Sequence, residues 1–290
     1  MKKNEYHIPV TANKLTTIDV LAEATELSRQ KIKQAMQKGC VWLEKGNNKD
    51  KEQQKTNQHI QRLRRAKKPL SEGDTVHFYY DEKVLEAEPP EAKLVYDEGN
   101  YSIWNKPSGM LSQGSKWGDH CTIYRWAEKQ LKPERTAFIV HRLDRAASGL
   151  IIIAHKKQIA VQFSKMFQQR EVDKYYHATV KGDFSKLLKD DEKIKTISTE
   201  LDAKKAVSHV MFLEYDATAD ESLLEVQIET GRKHQIRKHL SGIGFAVVGD
   251  RLYGENDNAK ETQKDLQLSA VRLKFCCPVS GKDRRFKLSL

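Results

Sequence analysis

Apolar residues near the start of the chain recur first at helical spacing and then at strand spacing. Ile32 and Met36 lie on one predicted helical face, between a candidate N-cap at Ser28 and a candidate stop at Gly39. A shorter helix is predicted before this one and strand-like runs after it. The pattern predicts a small α/β domain over residues 1–83.

A second, larger domain is predicted over residues 94–290, after an extended linker over 84–93 that contains paired prolines. Helical spacing over 158–170 and a basic helix after Gly231 are outnumbered there by strand-like runs. Those runs lie at 94–96, 101–104, 175–180, 209–215, 223–228, 246–248 and 271–275. This order indicates an α+β fold with a mixed, largely antiparallel sheet.

Composition and charge favour a folded protein with a polyanionic partner. The hydrophobic fraction of 38% can form a core, and the net charge is +11. Residues 1–80 hold 16 Lys and Arg against 9 Asp and Glu, a net +7 that favours nucleic acid. No stretch approaches the roughly 20 apolar residues of a membrane helix, and no signal-peptide block follows the start. We therefore expect a cytoplasmic protein with no membrane partner.

Residues 138–153 carry the candidate chemistry. Apolar strand-forming runs flank a short polar turn in which Asp144 lies between Arg142 and Arg145. A core strand does not carry three charges at its centre. The tripeptide Arg-Leu-Asp alone would favour a surface ion pair, whereas the whole stretch favours a rigidly held carboxylate in a site.

Residues 141–150 resemble the His-Arg-Leu-Asp-x-x-Thr-Ser-Gly-Leu loop of the RluA-type RNA pseudouridine synthases. Further segments resemble the same family in the same order, at 105–110, 174–178 and 230–240, with shorter matches at 249–254 and 268–270. The resemblance covers roughly residues 94–275. Two departures are Ala147, where the family usually has Thr, and Ser269, where it commonly has His.

The resemblance implies a pseudouridine synthase fold and an isomerase that converts uridine in RNA to pseudouridine, by base flipping and without a cofactor or metal. It implies that Asp144 is the nucleophile and that Arg237 is its ion-pair partner, which keeps the carboxylate ionised and aimed. Tyr176 is implied as the aromatic floor under the flipped base, and it also matches the tyrosine placed to take the proton from carbon 5.

Candidate RNA contacts follow from the same resemblance and from the basic runs. Residues 28–41 match in outline the small RNA-binding domain first seen in ribosomal small-subunit protein four, and the polar stretch 44–61 is interpreted as an exposed insertion in it. Arg142 is placed to fill the gap left by the flipped base. The candidate contacts are Arg29, Lys33, Arg64, Arg65, Lys106, Arg142, Arg232, Lys233 and Lys238.

Several hypotheses stay open at this point. The appended domain favours large-subunit ribosomal RNA as the substrate over transfer RNA, and we expect a monomer. Ala147 and Ser269 keep open an RNA-binding or assembly factor that has the fold without the reaction. A nucleoside glycosidase is disfavoured because the loop lacks a second carboxylate. His141, His234 and His239 lack the partners of a metal site or a hydrolase, so we expect them in packing or hydrogen bonding.

Overall fold

The computed structural model describes residues 2–46, 60–189, 192–254 and 264–288. Most of the predicted insertion at 44–61 lies outside these residues. The chain divides into two compact units, which are Met1–Pro89 with Gln113–Trp126 and Pro90–Ser112 with Ala127–Leu290. Residues 113–126 fall within the stretch predicted for the large domain, and they belong to the first unit.

The first unit contains helices and an antiparallel sheet with the strand order β1-β4-β2-β3. In chain order its elements are β1 (Lys3–Pro9), α1 (Thr17–Ala24), α2 (Arg29–Lys38), β2 (Val41–Glu44), β3 (Gln61–Arg62), β4 (Thr75–Asp81) and α3 (Glu82–Glu86). The Ser28 side chain accepts a hydrogen bond from the backbone N–H of Lys31, and Gly39 ends α2 with φ of 85°. Both ends of this helix are therefore where the sequence pattern predicts them.

Two features of the first unit differ from the prediction. β1 was not predicted, although Tyr6 and Ile8 alternate with polar residues and pack against the buried cluster of this unit. The start of the predicted linker is helical rather than extended, because the Asp81 carboxylate accepts from the backbone N–H of Val84 at 3.2 Å and caps α3.

The second unit is built on a large mixed sheet with the order β10-β11-β12-β9-β13-β8-β6-β5, to which β14 and β7 add at β13 and β8. From residue 93 onward the elements are β5 (Lys93–Asp97), β6 (Tyr101–Lys106), α4 (Ile123–Gln130), β7 (Phe138–Ile139), β8 (Ser148–Ala154), α5 (Lys157–Gln169), β9 (Val172–Lys181), a 3₁₀ helix (Phe184–Leu187), β10 (Ile194–Leu201), β11 (Lys204–Asp216), β12 (Glu221–Ile228), α6 (Gln235–Gly242), β13 (Leu268–Cys276) and β14 (Asp283–Lys287). The first four residues of α4 belong to the first unit. Among the described strands, β8 and β13 form the one parallel pair. The largely antiparallel α+β prediction is confirmed.

The prediction of a strand at 246–248 is wrong. This stretch makes one isolated bridge, between Val247 and Val180, because it is followed within a few residues by a tight turn at Asp250. In α5, by contrast, the buried residues lie on the face that the apolar pattern predicts. Ile159 and Phe163 of α5 share a buried cluster with Leu150 and Ile152 of β8.

Gly149 determines how β8 begins. It has φ of 110° and lies opposite Ala270 in the parallel pair, where an added Cβ would be 2.3 Å from the Ala270 carbonyl oxygen. Only glycine fits this approach. The polar turn before β8, which we call the Asp144 loop (residues 140–147), is thereby held at an interior strand of the sheet. None of the helices in the described parts of the chain is long and apolar enough to cross a bilayer.

Candidate active site

Asp144 lies in the loop between β7 and β8, and its side chain is 27% exposed. Its Oδ2 accepts a hydrogen bond from Nη1 of Arg237 at 3.3 Å, and its Oδ1 lies 3.8 Å from Nε2 of His234. Arg237 is in the first turn of α6, and His234 is the residue before that helix. The fold therefore brings the implied carboxylate and arginine together across 93 positions of sequence.

Arg237 is itself held by a buried carboxylate, that of Asp250. Nε and Nη2 of Arg237 donate to the two oxygens of Asp250 at 2.7 and 2.6 Å, a bidentate arrangement in which the two side chains are 6% and 0% exposed. Burial opposes ionisation of Asp250. The donations from Arg237 and from two backbone N–H groups outweigh it, so the pKa of Asp250 lies below its ordinary value.

Asp250 was not among the predicted site residues. The signal for it was present in the short match at 249–254, but the role of an acid there depends on the arginine it meets. The hydrogen bonds with Asp250, opposed by burial, also raise the pKa of Arg237. The guanidinium is therefore a permanent, oriented cation beside Asp144.

Tyr176 is buried in β9, between Val226 of β12 and Ala270 of β13 in the register of the sheet. Burial raises the pKa of its phenol, and the charge of Asp144 raises it further. The phenol is therefore protonated at neutral pH, and its ring can serve as an apolar face.

Lys106 does not occupy the RNA-contact role assigned to it, and that prediction is wrong. Its side chain is fully buried, and Nζ donates to the carbonyls of Pro107, Met110, Arg145 and Ala147 at 3.0, 3.0, 3.4 and 2.6 Å. Burial lowers its pKa to about 8, although the charge of Asp144 acts in the opposite direction. The amine ties the Asp144 loop to residues 107–110 and cannot reach a phosphate.

A serine adds a second tie to the same loop. The hydroxyl of Ser112 donates to the carbonyl of Leu143 at 2.7 Å and accepts from the backbone N–H of Leu143 at 3.0 Å. Both bonds are made to the residue just before Asp144. The backbone of Asp144 is therefore held from both sides of the loop.

Comparison with known proteins shows to which family this chain belongs. A family model described as RNA pseudouridylate synthase matches residues 100–242. A tRNA pseudouridine synthase C of Vibrio parahaemolyticus is 30% identical over 225 residues, which are 70% of this chain and 92% of that protein. The chain belongs to the RNA pseudouridylate synthase family. It is accordingly an RNA-modifying isomerase, as the motifs indicate.

Other relatives agree with this family. A ribosomal large subunit pseudouridine synthase D of Borreliella burgdorferi is 27% identical to this synthase over 66% of the chain and 65% of that protein. The solved structure of human RNA pseudouridylate synthase domain containing 1 is 23% identical, covers 70% of this chain and 86% of its own, and superposes with a TM-score of 0.56. That likeness concerns the fold.

The predicted RNA contacts of the second unit lie on the Asp144 loop and around the start of α6. Arg142 and Lys233 are exposed. Nε of Arg232 donates to the carbonyl of Lys205 at 3.2 Å, and Nζ of Lys238 lies 3.5 Å from the carboxylate of Asp202. Arg142 therefore lies on the Asp144 loop itself, and the other three cations lie at or just before the first turn of α6, the helix that carries Arg237.

In the first unit the predicted contacts separate into two groups. Lys33 and Arg65 are exposed, and the exposed Arg29 pairs with Asp19 at 2.7 Å. Arg64 instead donates to the carboxylate of Asp119, whose side chain is 1% exposed, and to the carbonyl of Gln37 at 2.7 Å. Its side chain is 27% exposed and is partly committed to contacts within the fold, and its contact with RNA stays a prediction.

The three histidines of the motifs make hydrogen bonds within the fold, as predicted. Nε2 of His141 accepts from the backbone N–H of Ile152 at 2.9 Å, and burial, followed by the charge of Lys174, lowers its pKa to about 3. His239 lies between the hydroxyls of Ser208 and Thr199. Among the described residues no group of His, Cys, Asp and Glu is arranged to hold a metal ion.

Proposed function

We propose that this synthase isomerises uridines of large-subunit ribosomal RNA, with Asp144 as the nucleophile. The proposal rests on the partly exposed carboxylate of Asp144. One of its oxygens is bound by the buried Arg237, which the carboxylate of Asp250 holds in place. An ion pair on the surface would not need a second, buried carboxylate to orient its arginine.

The reaction balances with the residues present. Uridine in structured RNA is stacked, so the target base is extruded into the site before Asp144 reaches it. The carboxylate attacks C1′ of the ribose, the C1′–N1 bond breaks, and the uracil leaves with the bonding pair. The base then rotates, and C5 attacks C1′ and displaces the carboxylate. C5 loses a proton and N1 gains one, so no external oxidant or cofactor is consumed.

Tyr176 supports the flipped base in this proposal. Its buried ring offers an aromatic face in a central strand. Because its phenol is protonated at neutral pH and a protonated phenol is a weak base, the raised pKa favours the stacking role over uptake of the C5 proton. We assign to Arg142, which is exposed two residues before Asp144, the role of entering the gap that the base leaves in the RNA.

The choice of RNA rests on the first unit. The match to the transfer-RNA enzyme takes in 92% of that protein but 70% of this chain, so this chain carries residues with no counterpart there. The excess positive charge of residues 1–80 fits a second RNA contact on a large folded RNA. The name of that same relative makes transfer RNA the second candidate.

Two measurements test the proposal. Asp144→Asn should abolish pseudouridine formation and leave RNA affinity nearly unchanged, because the amide is isosteric and no longer nucleophilic. Pseudouridine mapping by carbodiimide-based sequencing of total RNA, from a deletion strain complemented with wild type or with Asp144→Asn, identifies the substrate. A site in large-subunit ribosomal RNA that only wild type restores supports the proposal. A restored site only in transfer RNA favours the second candidate, and turnover by the Asn variant refutes Asp144 as the nucleophile.

A further inference from the structure

His234 differs from the other histidines because it faces the nucleophile. Its Nε2 is 3.8 Å from Oδ1 of Asp144, the oxygen that Arg237 does not hold, and its side chain is 17% exposed. Its Nδ1 lies 2.9 Å from the hydroxyl of Tyr253. The ring therefore lies between a phenol and the carboxylate.

Tyr253 is fixed from three directions. Its backbone N–H donates to Oδ1 of Asp250 at 3.1 Å, and its carbonyl accepts from the hydroxyl of Ser241 at 2.7 Å. Its ring lies edge-on to His234, with centroids 5.6 Å apart, and under the guanidinium of Arg237 at 5.1 Å. The backbone of the residue whose phenol meets His234 is thus held by the same Asp250 that holds Arg237.

The backbone of His234 also carries strain. It adopts φ of 55° and ψ of 29°, a left-handed conformation that non-glycine residues rarely take, at the N-cap of α6. Such conformations persist where the surroundings over-determine them, and they cluster at functional sites. The residue in this conformation is the one whose imidazole faces Asp144.

Electrostatics select the tautomer of the ring. With the Tyr253 hydroxyl donating to Nδ1, the proton of a neutral ring is on Nε2 and points toward the carboxylate. The other tautomer would turn a lone pair toward Oδ1 of Asp144, which is repulsive. The partner of one ring nitrogen thus determines what the other nitrogen presents.

The geometry points to His234 as a positioning residue that, oriented by Tyr253, holds the second oxygen of the nucleophile. With Arg237 on Oδ2 and His234 on Oδ1, the plane of the carboxylate is set, and its attacking lone pair stays directed at the sugar. This inference rests on the proposed role of Asp144.

The charge state of the ring fits this role. Burial lowers the pKa of His234, the charge of Asp144 raises it, and the cations Arg237, Lys233 and Lys238 lower it again. The net direction is downward, so the ring is neutral at neutral pH and can present its N–H to Oδ1 of Asp144 without neutralising the nucleophile.

The test uses the full chain and hypomodified total RNA that carries tritium at carbon 5 of uridine, since that hydrogen is released on isomerisation. His234→Asn tolerates the left-handed backbone but is too short to reach Asp144, whereas His234→Gln keeps an N–H donor within reach. We expect kcat to fall by about 10- to 100-fold in the Asn variant with KM nearly unchanged, and to recover partly in the Gln variant.

A double-mutant cycle separates positioning from general support. Tyr253→Phe should lower kcat in the wild-type background and cause no further loss in the His234→Asn background, since both changes remove one interaction. Tyr215→Phe, which removes the exposed hydroxyl that donates to Asp220, is the matched control and should be silent. The acid limb of the kcat profile should move to lower pH in His234→Gln, which has no ring to protonate.

Unfolding midpoints and RNA affinity show whether each variant is folded. Additive losses in the cycle, equal losses in the Asn and Gln variants, or an unmoved acid limb would overturn the positioning role. Asp144→Asn measured alongside keeps the two conclusions separate. If that variant is inactive and the cycle is additive, only the inference on His234 fails, whereas an active Asp144→Asn removes the proposed function itself.

Discussion

Replacing Asp250 by Ala removes the buried carboxylate that orients Arg237. The arginine then keeps its charge and its buried position but loses a bidentate partner at 2.7 and 2.6 Å. The backbone N–H groups of Leu252 and Tyr253 lose their acceptor in the same step. This single change therefore tests whether the support beneath the nucleophile matters.

The size of the effect follows from burial. Removing one member of a buried ion pair costs about 3–5 kcal/mol, and Arg237 then keeps only its 3.3 Å hydrogen bond to the partly exposed Asp144. At roughly 2–4 °C per kcal/mol for a domain of this size, the Tm of the second unit should fall by about 6–20 °C. Because the guanidinium is then free to turn away from Asp144, kcat should fall by about 10- to 100-fold.

Scanning calorimetry and tritium release measure the two effects. The matched control is Glu229→Ala, which breaks pairs with Arg170 and His209 in which the three side chains are 39%, 53% and 30% exposed. Exposed pairs contribute about 0–1 kcal/mol, so this variant should unfold close to wild type. If the Asp250 and Glu229 variants unfold at the same temperature, or if the Asp250 variant keeps wild-type kcat, then the buried pair does not support the nucleophile.

Three further outcomes are expected. Burial lowers the pKa of Lys106 to about 8 in the folded protein, so above that pH the unfolded chain binds more protons than the folded one. The free energy of unfolding should therefore rise by up to about 3 kcal/mol between about pH 8 and 10.5. Urea titrations of Lys106→Met should lack this rise. In urea titrations, Gly149→Ala should lower the free energy of unfolding by about 3 kcal/mol or more, because the added Cβ lies 2.3 Å from a backbone oxygen. Gly99→Ala, whose Cβ meets nothing within 4 Å, should lower it by about 1–2 kcal/mol. Ser112→Ala should lower kcat with little change in KM, and an unchanged kcat would show that its two bonds to the loop are dispensable.

Local chemistry explains what could be predicted. The ends of α2 depend on Ser28 and Gly39, which act on backbone groups within four residues. The apolar face of α5 and the alternation in β9 and β12 depend on periodicity alone. The motif that contains Asp144 was visible for the same reason, since apolar strand residues and a polar turn are contiguous in the chain.

Burial and long-range partners explain which features could not be predicted from the sequence. Lys106 and Arg142 look alike in sequence, yet one amine is enclosed by four carbonyl groups and the other cation is exposed. Arg64 looks like an RNA contact in sequence, but its guanidinium donates a hydrogen bond to a carboxylate 55 positions away. No local rule distinguishes these cases, because they depend on which backbone oxygens and acids the folded chain brings to each side chain.

The periodicity of the chain was therefore enough to predict the fold class, and the resemblance carried by the ordered motifs implied the family and the pairing of Asp144 with Arg237. Packing of distant segments alone produced the support of Arg237 by Asp250, the contact of His234 with the nucleophile, and the clamp of Lys106 on the Asp144 loop. The physical reason is range: helix caps and strand alternation are settled within a few residues, whereas the desolvation and direction of a charged group depend on every element that folds around it.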